Sequence, residues 1–128
     1  MSYYFSKYLN APFDEAVERT IAALKAEGFG VLTDIDVQTT LKKKLNADFR
    51  PYRILGACNP PLAHKALMTE DKVGTMLPCN VIVQRLDSGE VEIAAIDPMA
   101  SMQAIENPAL RELAETVQAK LRRVVDSL

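Results

Sequence analysis

Two cysteines, one histidine and the amides beside them are the residues of this chain whose chemistry stands out. Cys58 lies in "GACNPPLAHKAL" and Cys79 in "LPCNV", each followed at once by an asparagine, Asn59 or Asn80, with a proline close by. His64 is the only histidine in 128 residues and follows the first cysteine by six positions. A thiolate is a nucleophile and a soft metal ligand, and a neutral imidazole is a base or a ligand. Asn59 stands before Pro60 and Pro61, where an amide can cap a helix that proline opens. Cys58 would then sit at a helix N-terminus, whose free N–H groups and partial positive charge favour a thiolate. Cys79 would open the next strand, and Asp97 would close the one after it. If those strands are neighbours, the side chains share one rim of the sheet. Cys58, Asn59, His64, Cys79, Asn80 and Asp97 therefore form the candidate ligand-binding set.

Spacing narrows what that set can do. There is no C-x₂-C and no H-x₃-H pair, which excludes a zinc knuckle and a thioredoxin-type dithiol. No Gly-rich phosphate loop, nucleophile elbow or HExxH motif is present. A nucleophilic cysteine with a histidine base is sound chemistry, but spacing alone does not bring His64 to either sulfur, so no catalytic residue is assigned. The competing reading is that both cysteines are small buried hydrophobes and that His64 is a surface residue on a helix flank.

The elements that would position these residues are legible. The first strand is Tyr3 to Leu9, rich in aromatics. "NAPFDEAVERTIAALKAEGFG" then carries helix signals. Asn10 or Ala11 can cap, Pro12 suits the first turn, Asp14 and Glu15 favour the positive end of the dipole, and Gly28 supplies the stop. Phe29 to Val37 alternate, with Phe29, Val31, Thr33, Ile35 and Val37 on one side and Asp34 and Asp36 on the other. A short helical stripe follows at Val37, Leu41 and Leu45. The third strand is Tyr52 to Cys58, and a short helix begins after Asn59. His64 lies off that helix's stripe of Leu62, Ala63, Ala66 and Leu67. "CNVIVQRLDSGEVEIAAID" reads as a hairpin turning at Asp87-Ser88-Gly89, where Gly89 can take a positive φ. Asn107-Pro108 opens the last helix, whose stripe is Leu110, Leu113, Ala114, Val117, Leu121, Val124 and Leu128.

Strands clustered between two one-sided helices indicate an α+β fold: an antiparallel sheet with helices packed on one face. One domain spanning 1–128 suits the length, with 48% apolar and 25% charged residues. A net charge of −2 gives no general pull toward nucleic acid or an anionic membrane. No run approaches the roughly 18 apolar residues of a membrane span, and the start lacks the pattern of a secretory signal. The expected location is the cytoplasm, where thiols stay reduced.

"GACNPPLAHKAL", "LPCNVIV" and "AIDP" closely resemble the domain-of-unknown-function family 302, and the resemblance covers nearly the whole chain. The family's motif positions fall on Gly56, Ala57, Cys58, Asn59, Pro60, Leu77, Pro78, Cys79, Asn80, Asp97 and Pro98. The resemblance implies a β-α-β(4)-α arrangement similar to the TATA-box-binding-protein fold, associated as a homodimer. It leaves activity and cofactor open.

Two functional expectations follow. In the first, Cys58, Cys79 and His64 hold a small molecule, a soft metal ion or a sulfur species such as a thiol or persulfide, in a binding or redox module. In the second, the chain is a structural or interaction module that dimerises, and its cysteines fill the core. Other features have plainer readings. Lys42, Lys43, Lys44, Arg50 and Arg53 with Phe49 and Tyr52 combine charge and stackable rings as nucleic-acid surfaces do, but a solvated helix face running into a strand explains them. Tyr3, Tyr4, Phe5 and Tyr8 suit sheet packing or a partner subunit. Met99 and Met102 could form a soft lining near the cysteines. Asp34 and Asp36 read as the solvent side of a strand.

Overall fold

The computed structural model describes residues 2–128. Five strands, β1 (Tyr4–Leu9), β2 (Gly30–Asp36), β3 (Tyr52–Cys58), β4 (Cys79–Arg85) and β5 (Val91–Ile96), form one antiparallel sheet in the order β1-β5-β4-β3-β2. Helix α1 (Phe13–Ala26) links the two edge strands, and α5 (Pro108–Asp126) closes the chain. Three shorter helices, α2 (Val37–Leu45), α3 (Pro60–Thr69) and α4 (Pro98–Ser101), are added to the expected β-α-β(4)-α order, with a 3₁₀ turn over Asp71–Met76.

Alternation decides the layering. Leu55 and Ala57 on β3, Cys79, Val81 and Val83 on β4, and Val91, Ile93 and Ala95 on β5 are all buried. They meet Ala16, Val17 and Leu24 of α1 and Leu121, Val124 and Val125 of α5 in one core. Each large side chain so buried contributes roughly 1.5–3 kcal/mol. Helices on one face of an antiparallel sheet is the arrangement expected from the sequence.

Three helices start alike. Asn59, Asp97 and Asn107 each precede a proline, and their side chains accept from Leu62 N, Met99 N, and Ala109 and Leu110 N. Proline has no N–H to lose there, and the Asx oxygen satisfies an amide left free by the helix geometry. Helix α1 differs from the expectation: its cap is Pro12, with no side-chain bond, rather than Asn10 or Ala11. Its C-terminal signal stands, since Gly28 follows the helix at φ +86°. The hairpin turn also stands: Gly89 lies at φ +90°, and its amide bonds back to Leu86 O at 2.8 Å.

Strand β2 corrects the expected alternation. Val31 pairs with Ala57 and Thr33 with Gly56, so two steps on β2 match one on β3. Leu32 is the extra residue of this bulge and is 68% exposed. The bulge moves Thr33 and Ile35 to the face opposite Val31, so the five residues expected on one side are split between two.

Gly56 shows how tightly this end of the sheet is built. A Cβ there would overlap Thr33 Oγ1 and stand 2.7 Å from Pro78 Cγ. Gly56→Ala is expected to lower stability by about 3 kcal/mol, an overpacking cost, seen as an earlier urea midpoint with an unchanged slope. Adding Thr33→Ala should recover part of that loss; no recovery would mean that Pro78 alone sets the constraint.

Candidate functional site

The end of β3 and the start of β4 carry the two cysteines to the same end of the sheet. Ala57 and Cys79 are direct partners across the ladder, and Cys58 is the next residue along. Beyond Cys58 the chain turns into α3, which packs against α5 and the 3₁₀ turn. A second, smaller core forms there from Ala66, Val73 and Leu110, with Leu77, Met102, Ile105 and Leu113 against it.

The two cores do not close on each other completely. Between them lies a cavity of about 310 Å³, walled by Phe29 and Leu32 after α1, Ala57, Cys58 and Asn59 at the end of β3, and Leu62, Ala63, Ala66 and Leu67 of α3. Leu77, Pro78 and Cys79, then Pro98 and Met102, then Leu110, Leu113, Ala114 and Val117 of α5 complete it. None of these residues is charged. The volume falls at the small end of the range for small-molecule pockets, and the apolar wall is typical of them.

Cys58, Asn59 and Cys79 are thus brought together on one wall. Cys79 is 8% exposed and belongs to the main core, whereas Cys58 is half-buried, and both are free thiols. Burial pushes the Cys79 thiol from its ordinary 9.0 up to about 11, with a smaller push from Cys58. Cys79 is therefore protonated near neutral pH and is no nucleophile there. Asn59 Oδ1 accepts from Leu62 N at 3.3 Å, which holds the first turn of α3 directly behind Cys58.

The other three candidates lie elsewhere. His64 is exposed on the outer side of α3, in a shallow groove with Lys65, Glu112 and Thr116. Asn80 is exposed on the sheet face turned away from α1 and α5, opposite Gly56. Asp97 caps α4 and also accepts from Gln118 Nε2 at 3.0 Å. The methionines separate as well: Met102 lines the cavity and Met99 a groove beside Asp97. What sequence reading missed is the cavity's apolar wall, because Leu62, Ala63, Leu113 and Val117 read as ordinary helix stripes. A spacing rule cannot reveal that two stripes meet with a gap between them.

Several of the charged residues noted in the sequence have partners within the fold, while Lys43 and Lys44 are exposed on α2. Asp34 pairs with Arg53, whose guanidinium holds the carboxyl below its usual range, and Asp36 caps α2. Lys42 pairs with Asp48. Arg50 stacks on Phe49 at 4.4 Å and donates to Gln84 Oε1 at 2.7 Å. No helix is long and apolar enough to cross a membrane. Among the described residues, no three His, Cys, Asp or Glu side chains gather as a metal site would need.

The Cys79 shift has a sign that can be tested. Its folded pKa lies above the unfolded one, so its contribution is whole below about pH 9 and is lost as pH rises toward 11. Wild type should lose about 2–3 kcal/mol more over that interval than Cys79→Ala, measured by urea unfolding at each pH. Parallel curves would show that the thiol is not held in its neutral form.

Comparison with known proteins bears on the whole fold. No curated protein matches the chain. Among solved structures, the crystal structure of an uncharacterised conserved DUF302 protein from Bacillus stearothermophilus is 31% identical, covers 98% of each chain and superposes with a TM-score of 0.91. The family described as "Domain of unknown function DUF302" matches residues 5–128. With the sheet order, the two packed helices and this match in agreement, the chain belongs to the DUF302 family.

Proposed function

We propose that this chain is a small-ligand-binding domain whose ligand occupies the cavity between the two cores, against the thiols of Cys58 and Cys79. The observation that carries the reading is an uncharged cavity of about 310 Å³ in a chain of only 128 residues. Its mouth is open, with Leu32 and Leu67 exposed at the rim. What marks it as a ligand site is a wall made almost wholly of apolar side chains with a single amide among them. A metal fits the same wall less well. It would find two sulfurs and, among the described residues, no third His, Cys, Asp or Glu gathered with them. The reading places the chain in a reducing compartment such as the cytoplasm, where both thiols remain free.

Filling the cavity tests this. Ala63 lies half-buried on α3, so Ala63→Phe can occupy the space without opening the main core. Butylbenzene should slow the alkylation of Cys58 by iodoacetamide in wild type and have no effect in Ala63→Phe, whose melting temperature stays equal or rises. Alkylation of both thiols only on unfolding, with no effect of the hydrocarbon, would return the cysteines to a purely structural role.

A second reading, a homodimer, is supported by the sheet face turned away from α1 and α5. Its middle row is Ala94, Ile82, Ile54 and Ile35 in direct register. Tyr4 and Tyr8 stand beside it, 41% and 54% exposed. A polar strip flanks the row, in which Gln84 Nε2 donates to Glu92 Oε1 at 2.9 Å and Arg50 donates to Gln84. With Arg50 and Glu92 at its two ends, the strip carries both signs, and a two-fold axis would set each against the other. Two such faces would pack as stacked sheets do. Sedimentation should give a dimer for wild type and a folded monomer for Ile82→Glu. A wild type that sediments as a monomer at every concentration would remove this reading and leave the cavity untouched.

A further inference from the structure

We infer that the ligand of this cavity is an uncharged, mainly hydrocarbon molecule of about ten non-hydrogen atoms, with one acceptor oxygen received by the side-chain NH₂ of Asn59. The inference rests on the reading of the cavity as a ligand site and specifies what enters it.

Size comes from the volume. At roughly 30 Å³ for a water-sized group, a cavity of about 310 Å³ has room for about ten such groups. Charge comes from the wall. No ionisable partner other than the two thiols faces the space, so a carboxylate or ammonium inside would lose its water and gain no counter-ion. The protonated state of Cys79 reflects the same environment.

The oxygen comes from Asn59, the one amide side chain on the wall. Its Oδ1 is occupied by the α3 cap, which identifies the other atom as the NH₂. Among the described residues no acceptor takes those two protons, although the Leu62 bond is present. The NH₂ lies 3.0 Å from where a Gly28 Cβ would stand, so the absent side chain leaves it room. Asn59 is half-buried and its NH₂ is within reach of water. A ligand that covers it has to supply an acceptor in water's place, and a carbonyl or ether oxygen would do so. The sulfurs of Cys58, Cys79 and Met102 offer a polarisable surface that suits an aromatic or unsaturated body.

Three probes of similar size test this by calorimetric titration of the full chain: benzylacetone, a neutral ketone; butylbenzene, a hydrocarbon; and phenylbutyrate, an anion. Benzylacetone should bind about tenfold more tightly than butylbenzene, the worth of one hydrogen bond, and phenylbutyrate should not bind measurably. Asn59→Ser keeps an oxygen for the cap and removes the NH₂, so in that variant the two neutral probes should bind alike. If that variant fails to fold, the Asn59 side-chain amide NMR signals in wild type decide instead, moving with the ketone and not with the hydrocarbon. Equal binding of the neutral probes to wild type overturns this inference and leaves the cavity reading standing. Tight binding of phenylbutyrate also overturns it. Failure of every probe to bind overturns both.

Discussion

The end of the sheet that carries both cysteines depends on one steric fit. Gly56 has no side chain, and Pro78 and Thr33 fill the place where one would be. Because the Pro78 ring stands over that glycine, the strand beginning at Cys79 meets the strand ending at Cys58 in one register, with Ala57 opposite Cys79. A shift by one residue would turn the core side chains of β4 to the open face. The contact therefore positions the cysteines and sets the burial of Val81 and Val83 along the same strand.

This changes how the "GACNP" and "LPCN" motifs are understood. Gly56 makes room for Pro78, Ala57 opposes Cys79, Asn59 caps α3 and Pro60 opens it. Asp97 and Pro98 do for α4 what Asn59 and Pro60 do for α3. Most of the motif is thus explained by packing and capping, and needs no chemistry. Cys58 is different: a half-buried free thiol on the cavity wall, outside the buried core to which Cys79 belongs. On the proposed reading of the cavity, the functional content of the motif would narrow to this thiol and to the part of Asn59 that the cap does not use.

Much of the fold was legible because its signals are local. The Asx-Pro starts, the stripe on α5 and the glycine at the hairpin each act within a few residues. The β2 bulge was not legible, because Val31, Leu32 and Thr33 carry no mark of which residue the ladder will skip; that depends on Gly56 and Ala57 across the strand gap. The candidate site was half legible for a related reason. Strand ends brought Cys58, Asn59 and Cys79 together, as the shared rim predicts. His64 was linked to them only by closeness in sequence, and the rotation of α3 turns it outward. Asp97 was linked by its strand end, and the need to cap α4 draws its carboxylate away.

The cavity follows from the way the second core is assembled. Helix α5 has to satisfy two neighbours along its length: Leu121, Val124 and Val125 pack on the sheet, while Leu110 packs with Ala66 and Val73 beyond the sheet's end. Between those two stretches, Leu113, Ala114 and Val117 face α3, which presents alanines at Ala63 and Ala66. Larger residues at those two positions would close the gap, and each alanine buries less apolar area than a leucine would, so the open seam carries a cost in stability. The same seam separates a well-anchored sheet core from a small satellite built of α3, the 3₁₀ turn and the start of α5. A ligand bridging the two would bury apolar surface on both sides at once, and so couple occupancy to the docking of the satellite on the sheet.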